Sequence, residues 1–441
     1  MTGTAQADPA PGVVPTSGAA PVALPVEGGR VVAERGRGVE LAVAAMVANL
    51  VAIVFTVVFT RLLGVAGYGS LAALLNLTVI LMVPGSALQV AAAREGALGR
   101  LGAGAELAAT LDRWTRRLLA LLVGVAAVSA VAREPLAALL DLDEAWAAAA
   151  VPPTGVLWLL VCLQRGLLQA SRAYRSVGAS IVLEALGRLA AGAALVGAGL
   201  GVTGGYVGTG MSLAITAGVL AVLLRRRLGA PDGDSARHPL RALARDAAIP
   251  VAALTLVAAL QNVDVIMAKH TLPEDTAGIY AAATVAGKAV IWIAIGLGLY
   301  VLPEAARLTA AGQDARRVLV RALGLIGALS AVALACFASV PELLLRVAFG
   351  PEYEPGAEVL LFLGLAFSLL SATYLAVQFQ LGLHRRAFLG VLAIAAVVEP
   401  LLLLGAVDLE SFALIGLYVQ AATAAGLLLL SVRRSSRVVA A

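Results

Sequence analysis

The sequence predicts an all-α integral membrane protein, with 12 transmembrane helices in two six-helix lobes around a central cavity. Three observations favour this class. Twelve apolar runs fill the chain between residues 39 and 432, and a helix of about 20 residues spans the ~30 Å hydrocarbon core of a bilayer. The chain is 61% hydrophobic and 13% charged, whereas soluble domains are about 25% charged. The loops between the runs alternate in charge.

Each apolar run is predicted to be a helix, because the runs are continuous and lipid offers no hydrogen-bond partner to an open backbone. In chain order, the predicted helices are 39–63, 68–93, 115–132, 151–171, 177–200, 205–225, 246–268, 277–303, 318–341, 356–382, 386–407 and 411–432.

The longest interior loop divides these helices into two sets of six. The start of the chain is rich in Pro, Gly and Ala and lacks the charged-then-apolar order of a signal peptide, which predicts disorder. The predicted units are a disordered cytoplasmic tail at 1–38, an N-terminal lobe at 39–227, a cytoplasmic linker at 228–245, a C-terminal lobe at 246–432 and a cytoplasmic tail at 433–441.

The loop charges predict the orientation of the chain. Most of the 32 basic residues lie in the termini and in alternate loops, while the other loops are acidic and hold only Arg61, Arg133, Lys269 and Arg346. The positive-inside rule therefore places both termini in the cytoplasm. Because the basic residues border the membrane, no nucleic-acid partner is predicted.

The two predicted lobes share short sequence motifs, which recur at an offset of about 211 residues. The second helix opens with Ala66, Gly67 and Tyr68, and the eighth opens with the similar run at residues 277–280. Arginines and glutamines recur at similar offsets. A parallel duplication of this kind is typical of transporters with a site between two bundles.

Charged side chains occur inside the predicted fourth and fifth helices, where each costs roughly 2.5–3.5 kcal/mol. Arg165 shares a helix face with Gln169 and Arg172, and Glu184 shares one with Arg188. Arg165 and Glu184 are at similar depth across the turn, so they can pair. Arg188 is one turn deeper and would remain a free positive charge. The alternative is a structural network that only locks the hairpin.

The C-terminal lobe has its own charges within the membrane. Lys288 lies near the middle of the eighth helix without an acid one turn away, which favours a water-filled cavity around it. Asp264 in a polar patch, and Glu399 beside Pro400, are candidates for coupling-ion binding or for helix pairing. Arg61, at the outer end of the first helix, is either an interface anchor or a ligand.

Other chemistry is not predicted. The sequence has no Walker A motif, and its histidines are scattered without metal-ligand spacing. No catalytic set is recognised, so the chain is predicted not to be an enzyme and to need neither a cofactor nor a metal.

Several short motifs together resemble the bacterial oligosaccharide and polysaccharide flippases of the multidrug/oligosaccharidyl-lipid/polysaccharide exporter superfamily. Each is weak alone, but their order covers nearly the whole chain. They are RLLG at 61–64, GYG at 67–69, AAARE at 91–95, RGLLQ at 165–169, LEALGR at 183–188, NVDV at 262–265, AGIY at 277–280, GK at 287–288 and FGPEY at 349–353.

The resemblance implies a bacterial inner-membrane flippase that moves an undecaprenyl-pyrophosphate-linked oligosaccharide outward by alternating access. Arg165, Arg188, Lys288 and Arg61 would be cavity cations for the pyrophosphate, because arginine suits phosphate geometry. H⁺ or Na⁺ would be the coupling ion. Membrane lipids, and a polysaccharide polymerase or glycosyltransferases, would be further partners.

Three alternatives remain open at this stage. A multidrug or cation antiporter of the same superfamily would favour cavity acids and aromatics, and the chain is only 5% aromatic. A membrane glycan polymerase or ligase would need a sizeable outer loop. A scaffold without transport activity would tolerate replacement of the buried charges.

Overall fold

The computed structural model describes residues 28–229 and 248–432. Within these ranges the chain is helical and contains no strand. The helices are α1 (Gly28–Ala97), α2 (Ala105–Val131), α3 (Arg133–Leu140), α4 (Ala145–Ala149), α5 (Val151–Ala170), α6 (Tyr174–Leu195), α7 (Gly201–Leu228), α8 (Ala248–Thr271), α9 (Glu274–Gly287), α10 (Ala289–Ala310), α11 (Arg316–Ser339), α12 (Pro341–Ala348), α13 (Ala357–Gly382), α14 (Phe388–Leu403) and α15 (Leu409–Val432).

Nine helices within the described ranges are long and apolar enough to cross a membrane. Two of them, Val43–Ala97 and Tyr174–Leu228, are 55 residues long. A helix of that length would extend about 80 Å, far more than one bilayer, so each must form two crossings. Nine helices, two of which cross twice, give eleven crossings, and the shorter apolar helix α14 gives a twelfth. The described residues therefore agree with the twelve predicted crossings. The all-α membrane fold class is confirmed.

Glycines produce the bends that divide the two long helices. Gly64 has a φ of 70° within α1, and Gly199 has a φ of 89° in the π-helical turn Val196–Leu200 that joins α6 to α7. Side chains with a Cβ rarely adopt such angles, whereas glycine adopts them readily. Both bends lie on the side of the acidic loops. We call this the acidic side, and we call the opposite side, which holds Arg94 and Arg307, the arginine-rich side.

Many apolar side chains point outward from the bundle. Met46 is 75% exposed and Val131 is 87% exposed. Such residues suit lipid rather than water, because a soluble monomer seldom leaves extended apolar surface uncovered. The chain is therefore a multi-pass membrane protein.

The structure differs from the predicted boundaries at several points. α1 is already helical from Gly28, inside the predicted tail at 1–38, and no proline interrupts the chain from residue 26 to residue 83. The predicted eighth helix, 277–303, is divided at Lys288 into α9 and α10. Residues 1–27, most of the 228–245 linker and the 433–441 tail lie outside the described residues, so the predicted domain boundaries stay predictions.

The two halves repeat the same turn geometry. Gly99 and Gly312 have φ values of 70° and 68°, and Arg172 and His384 have values of 57° and 55°. Each pair is 212 or 213 positions apart, and each turn closes with the same two backbone hydrogen bonds of a helix C-terminal motif. Backbone conformation therefore repeats with the offset found in the sequence, as a parallel duplication predicts.

The two halves meet near the acidic side. Gly69 of α1 and Gly278 of α9 approach so closely that a Cβ on Gly69 would lie 3.0 Å from the Gly278 Cα. Tyr68 packs edge-on against Tyr353, with ring centroids 6.4 Å apart. Small residues let helix backbones approach closely in membranes, so this contact joins the halves tightly.

Candidate functional site

A buried ion pair connects the helices of the α5–α6 hairpin. Arg165 Nη2 lies 2.8 Å from Glu184 Oε2, and Arg165 Nε donates a hydrogen bond to Ser180 Oγ at 2.9 Å. The Arg165 and Glu184 side chains are only 4% and 17% exposed. The Trp158 ring also lies near the guanidinium, 5.7 Å from it. Two of the five N–H donors of the Arg165 guanidinium are thereby engaged, and the pair joins the two helices of the hairpin.

Arg188 lies one turn further along α6, and its guanidinium has no hydrogen-bond or ion-pair partner within the described ranges. Its Nε is buried and unsatisfied. Its guanidinium carbon lies 5.1 Å from the Phe55 ring of α1. Glu184, four residues earlier, interacts with it electrostatically, but Glu184 already binds Arg165. A half-buried arginine with free donors can bind an anion.

Lys288 joins the two halves of the protein. It lies at the break between α9 and α10, and its Nζ donates to Asn76 Oδ1 of α1 at 2.5 Å and to Asn262 Oδ1 of α8 at 3.0 Å. Both amides donate in turn to the backbone carbonyls four residues earlier, Ala72 and Ala258, which fixes their orientation. The ammonium is thus held by neutral acceptors on both sides.

Two carboxylates lie together in the C-terminal half. Asp264 of α8 and Glu399 of α14 line one small cavity of about 20 Å³, together with Tyr280 and Gln420. That volume is enough for about one water molecule. Tyr280 donates to Asp264 Oδ2 at 3.2 Å, and Gln420 Nε2 lies 3.4 Å from both oxygens of Glu399. Asp264 Oδ1 and Gln420 Oε1 are buried without a partner.

The polar part of the cavity lining therefore includes unsatisfied oxygen atoms, while the rest of the lining is apolar. Oxygen ligands suit a proton or a hard cation. No group of three or more His, Cys, Asp or Glu residues in the described ranges can hold a metal ion. Lys288 also interacts electrostatically with Asp264, so the carboxylate pair and the bridging lysine are coupled by charge.

The predicted site residues fall into three places. Arg165, Glu184 and Arg188 form one cluster, and Asp264, Glu399 and Lys288 are joined electrostatically in the other half. Arg61 belongs to neither cluster; it is exposed on the acidic side, near the bend at Gly64.

Sequence reasoning missed several residues that complete these clusters. Tyr280 lies in the AGIY motif without a predicted role, and Asn76 and Gln420 lie among mostly apolar neighbours, so no local pattern marks those two. A polar side chain in the middle of an apolar helix is the only available signal, because such groups are costly in lipid and need a partner.

Comparison with solved structures identifies the fold as that of MATE transporters of the MOP superfamily. An inward-facing conformation of a multidrug resistance MATE family transporter has a TM-score of 0.71 at 13% identity, covering 89% of this chain and 97% of that chain. An outward-facing one has a TM-score of 0.59 at 14% identity, covering 89% and 94%. A MOP superfamily transporter from Pyrococcus furiosus, described as having reversed pocket polarity, has a TM-score of 0.55 at 14%, covering 89% and 94%.

These identities are low, so the structural likeness establishes the fold alone. The family comes from the sequence: the model of polysaccharide biosynthesis proteins matches residues 38–290, more than half of the chain. The chain belongs to the polysaccharide biosynthesis protein family. No curated protein matches it. The resemblance drawn from the motifs is confirmed at the level of family and superfamily fold.

Proposed function

We propose that this protein flips an undecaprenyl-pyrophosphate-linked oligosaccharide from the cytoplasmic to the outer leaflet of a bacterial inner membrane, by alternating access. Both termini and the arginine-rich side would face the cytoplasm. The family match supports a role in polysaccharide biosynthesis. The observation that carries the proposal is Arg188, a half-buried arginine whose Nε is fully buried and whose guanidinium has no hydrogen-bond or ion-pair partner in the described ranges.

The physical need for such an arginine is clear. A pyrophosphate with attached sugars loses its hydration when it crosses hydrocarbon, and desolvated charge is very costly. A guanidinium with free donors replaces part of that hydration. Arg165 contributes mainly by holding Glu184, which keeps the α6 face in place around Arg188. The polyprenyl chain can stay in lipid throughout.

The carboxylate pair is suited to coupling. Two ionised carboxylates in one buried cavity repel each other, so a proton or a cation bound there would relieve the repulsion between Asp264 and Glu399. H⁺ and Na⁺ are both small enough for a cavity of about 20 Å³ that holds two carboxylates in an otherwise mainly apolar lining. Charge interaction links Asp264 to Lys288, and Lys288 donates to Asn76 of the other half. Ion binding would thereby change the contact between the halves.

The conformation supports access from the arginine-rich side. The Gly69–Gly278 and Tyr68–Tyr353 contacts close the acidic side. Outward release would require these contacts, and the Lys288–Asn76 hydrogen bond, to separate. Such a change is a rigid-body movement of one half against the other.

The test is reconstitution in vesicles with a fluorescent undecaprenyl-pyrophosphate oligosaccharide, whose outward movement is read by chemical quenching. We expect flipping by the wild-type protein, acceleration by an H⁺ or Na⁺ gradient, and loss of flipping in Arg188→Ala. Arg100→Ala is the matched control, since this arginine is 63% exposed on the arginine-rich side. Equal rates in Arg188→Ala and Arg100→Ala would remove the assignment of Arg188.

A second candidate is cation-coupled export of cationic compounds, and the Asp264–Glu399 pair favours it because buried acids attract cations. The same vesicles distinguish the two functions. Ethidium efflux without glycan flipping, abolished in Asp264→Asn, would establish the antiporter. Glycan flipping without ethidium efflux would establish the flippase.

A further inference from the structure

A groove lies beside α10 near the arginine-rich side, and neither cluster described above includes it. Its volume is about 590 Å³, within the ~300–1,000 Å³ range of ligand pockets. The lining changes along its length. Leu297 and Leu325 lie at the end toward the bilayer centre, whereas Arg317 and Arg321 lie toward the loop between α10 and α11. The groove therefore has an apolar end and a cationic end.

The two arginines form no ion pair in the described ranges. Arg317 and Arg321 are exposed, lie four residues apart on one face of α11, and have no ion-pair or hydrogen-bond partner within the described ranges. Glu304 also lines the groove, but it forms two hydrogen bonds with Arg307, at 2.9 and 2.6 Å. Asp314 is the other acid in the lining, so the two arginines outnumber the one carboxylate that Arg307 does not hold.

The start of α11 adds to this positive potential. Asp314, which precedes the N-cap residue Ala315, accepts a hydrogen bond from the backbone N–H of Arg316 at 3.0 Å, so its carboxylate offsets only part of this potential. The N-terminus of a helix carries partial positive charge, and a basic residue in the first turn is unfavourable there. Arg317 occupies that turn. An anion beside Arg317 would relieve the repulsion.

The corresponding positions of the first half do not carry the polar side chains that line this groove. Counted from the matching turn glycines, Ala87, Ala91 and Leu101 take the places of Tyr300, Glu304 and Asp314. Leu101 is buried in an apolar cluster with residues of the neighbouring helices. The polar lining is thus a property of the second half and does not follow from the repeated backbone.

We propose that this groove binds an anionic phospholipid from the leaflet on the arginine-rich side. The phosphodiester would lie against Arg317 and Arg321, whose planar donors match phosphate oxygens. One acyl chain would follow Leu297 and Leu325 between α10 and α11. Basic pockets between transmembrane helices on the cytoplasmic side are suited to anionic headgroups. This proposal does not depend on which substrate the protein transports.

The experiment uses the full chain in neutral detergent and counts bound lipid by native mass spectrometry. Dioleoyl phosphatidylglycerol and dioleoyl phosphatidylcholine are the probes, since they share acyl chains and differ in net charge. We expect about 30-fold tighter binding of one phosphatidylglycerol, the effect of two arginines at a lipid surface. Arg317→Ala/Arg321→Ala is expected to abolish the preference, and Arg317→Lys/Arg321→Lys to keep part of it.

Arg226→Ala/Arg227→Ala is the matched control, because these two arginines are exposed on the same side at the end of α7. It should keep the full preference. Equal binding of the two lipids, a preference that survives Arg317→Ala/Arg321→Ala, or equal loss in the control would each overturn the proposal. Displacement by millimolar glycerol phosphate would identify a free-phosphate site, and arginine-dependent binding of undecaprenyl phosphate alone would identify a substrate site. Either result would also overturn it.

Discussion

In the N-terminal half the described charge cluster is two arginines around one glutamate, whereas in the C-terminal half it is two carboxylates near one lysine. The backbone that carries them is repeated, since matching turns have φ values within 2° of each other. The repeated helices therefore provide a common frame, and substitutions within it have given the halves opposite electrostatic character.

This difference indicates a division of roles. A cationic cluster with free donors suits an anionic headgroup, and an acidic cluster with free acceptors suits a proton or a cation. Lys288 lies between them, because it contacts Asn76 in the first half and is coupled to Asp264 in the second. Four sets of substitutions test this comparison of the halves.

The largest effect is expected at the ion pair of the first half. Glu184→Leu leaves Arg165 buried without its partner, which should lower the free energy of unfolding by about 3–5 kcal/mol. The double variant Arg165→Met/Glu184→Leu removes both charges and should be close to the wild type. Unfolding in mixed detergent micelles measures both. A loss below about 1 kcal/mol in the single variant would mean that Arg165 reaches water and is not mainly structural.

The second-largest effect is expected at the hydrogen bond between Lys288 and Asn76. Asn76→Ala removes the shorter of the two hydrogen bonds that Lys288 donates, and a hydrogen bond to a charged group contributes about 1.5–3 kcal/mol. We expect the halves to separate more readily on the acidic side, so transport should become less dependent on the coupling ion. Asn76→Asp is the companion variant and should tighten the contact. Unchanged ion dependence in both would show that Lys288 does not connect the halves functionally.

The close approach of α1 and α9 gives a somewhat smaller effect. A Cβ at residue 278 would overlap the Val65 carbonyl oxygen, and overpacking costs about 1–3 kcal/mol. Gly278→Ala should therefore favour a conformation open on the acidic side. Electron-spin distances between labels at Asp143→Cys and Asp408→Cys, in a Cys336→Ser background, should lengthen. Gly390→Ala, where nothing lies within 4 Å of the added Cβ, should leave them unchanged.

The smallest effect concerns the repeated turns. Arg172→Gly and His384→Gly relieve a left-handed conformation in each half, and each should stabilise the protein by about 0.5–1 kcal/mol. Both side chains are exposed, so little packing is lost. Thermal unfolding of the two variants measures the gain. Clearly unequal gains would show that the turns are alike in shape and differ in strain.

Much of this arrangement follows from local sequence patterns. The helix class, the span count and the Arg165–Glu184 pairing depend on apolar run length, helical period and one short turn, all of which lie within a few tens of residues. The bend at Gly64 falls in the predicted gap between residues 63 and 68. Such features are predictable because each is fixed by neighbours in the chain.

The rest depends on contacts between distant residues. Asn76 and Lys288 are 212 positions apart, and Gln420 reaches Glu399 from a different helix. The break at Lys288 is not predictable, because the apolar run around it is continuous in the sequence. At this break the Lys288 carbonyl accepts only a long hydrogen bond, 3.4 Å from Trp292 N. These partners are set by tertiary packing, so the helical period of the sequence does not predict them.

The most direct test of the proposed division of roles compares Arg188→Ala with Arg165→Met/Glu184→Leu in the vesicle flipping assay. We expect Arg188→Ala to lose about 2–3 kcal/mol of substrate stabilisation, which is roughly a 30- to 150-fold lower kcat/KM. We expect the double variant to keep most of its activity. Normal flipping by Arg188→Ala, with flipping abolished in the stable double variant, would contradict this division of roles.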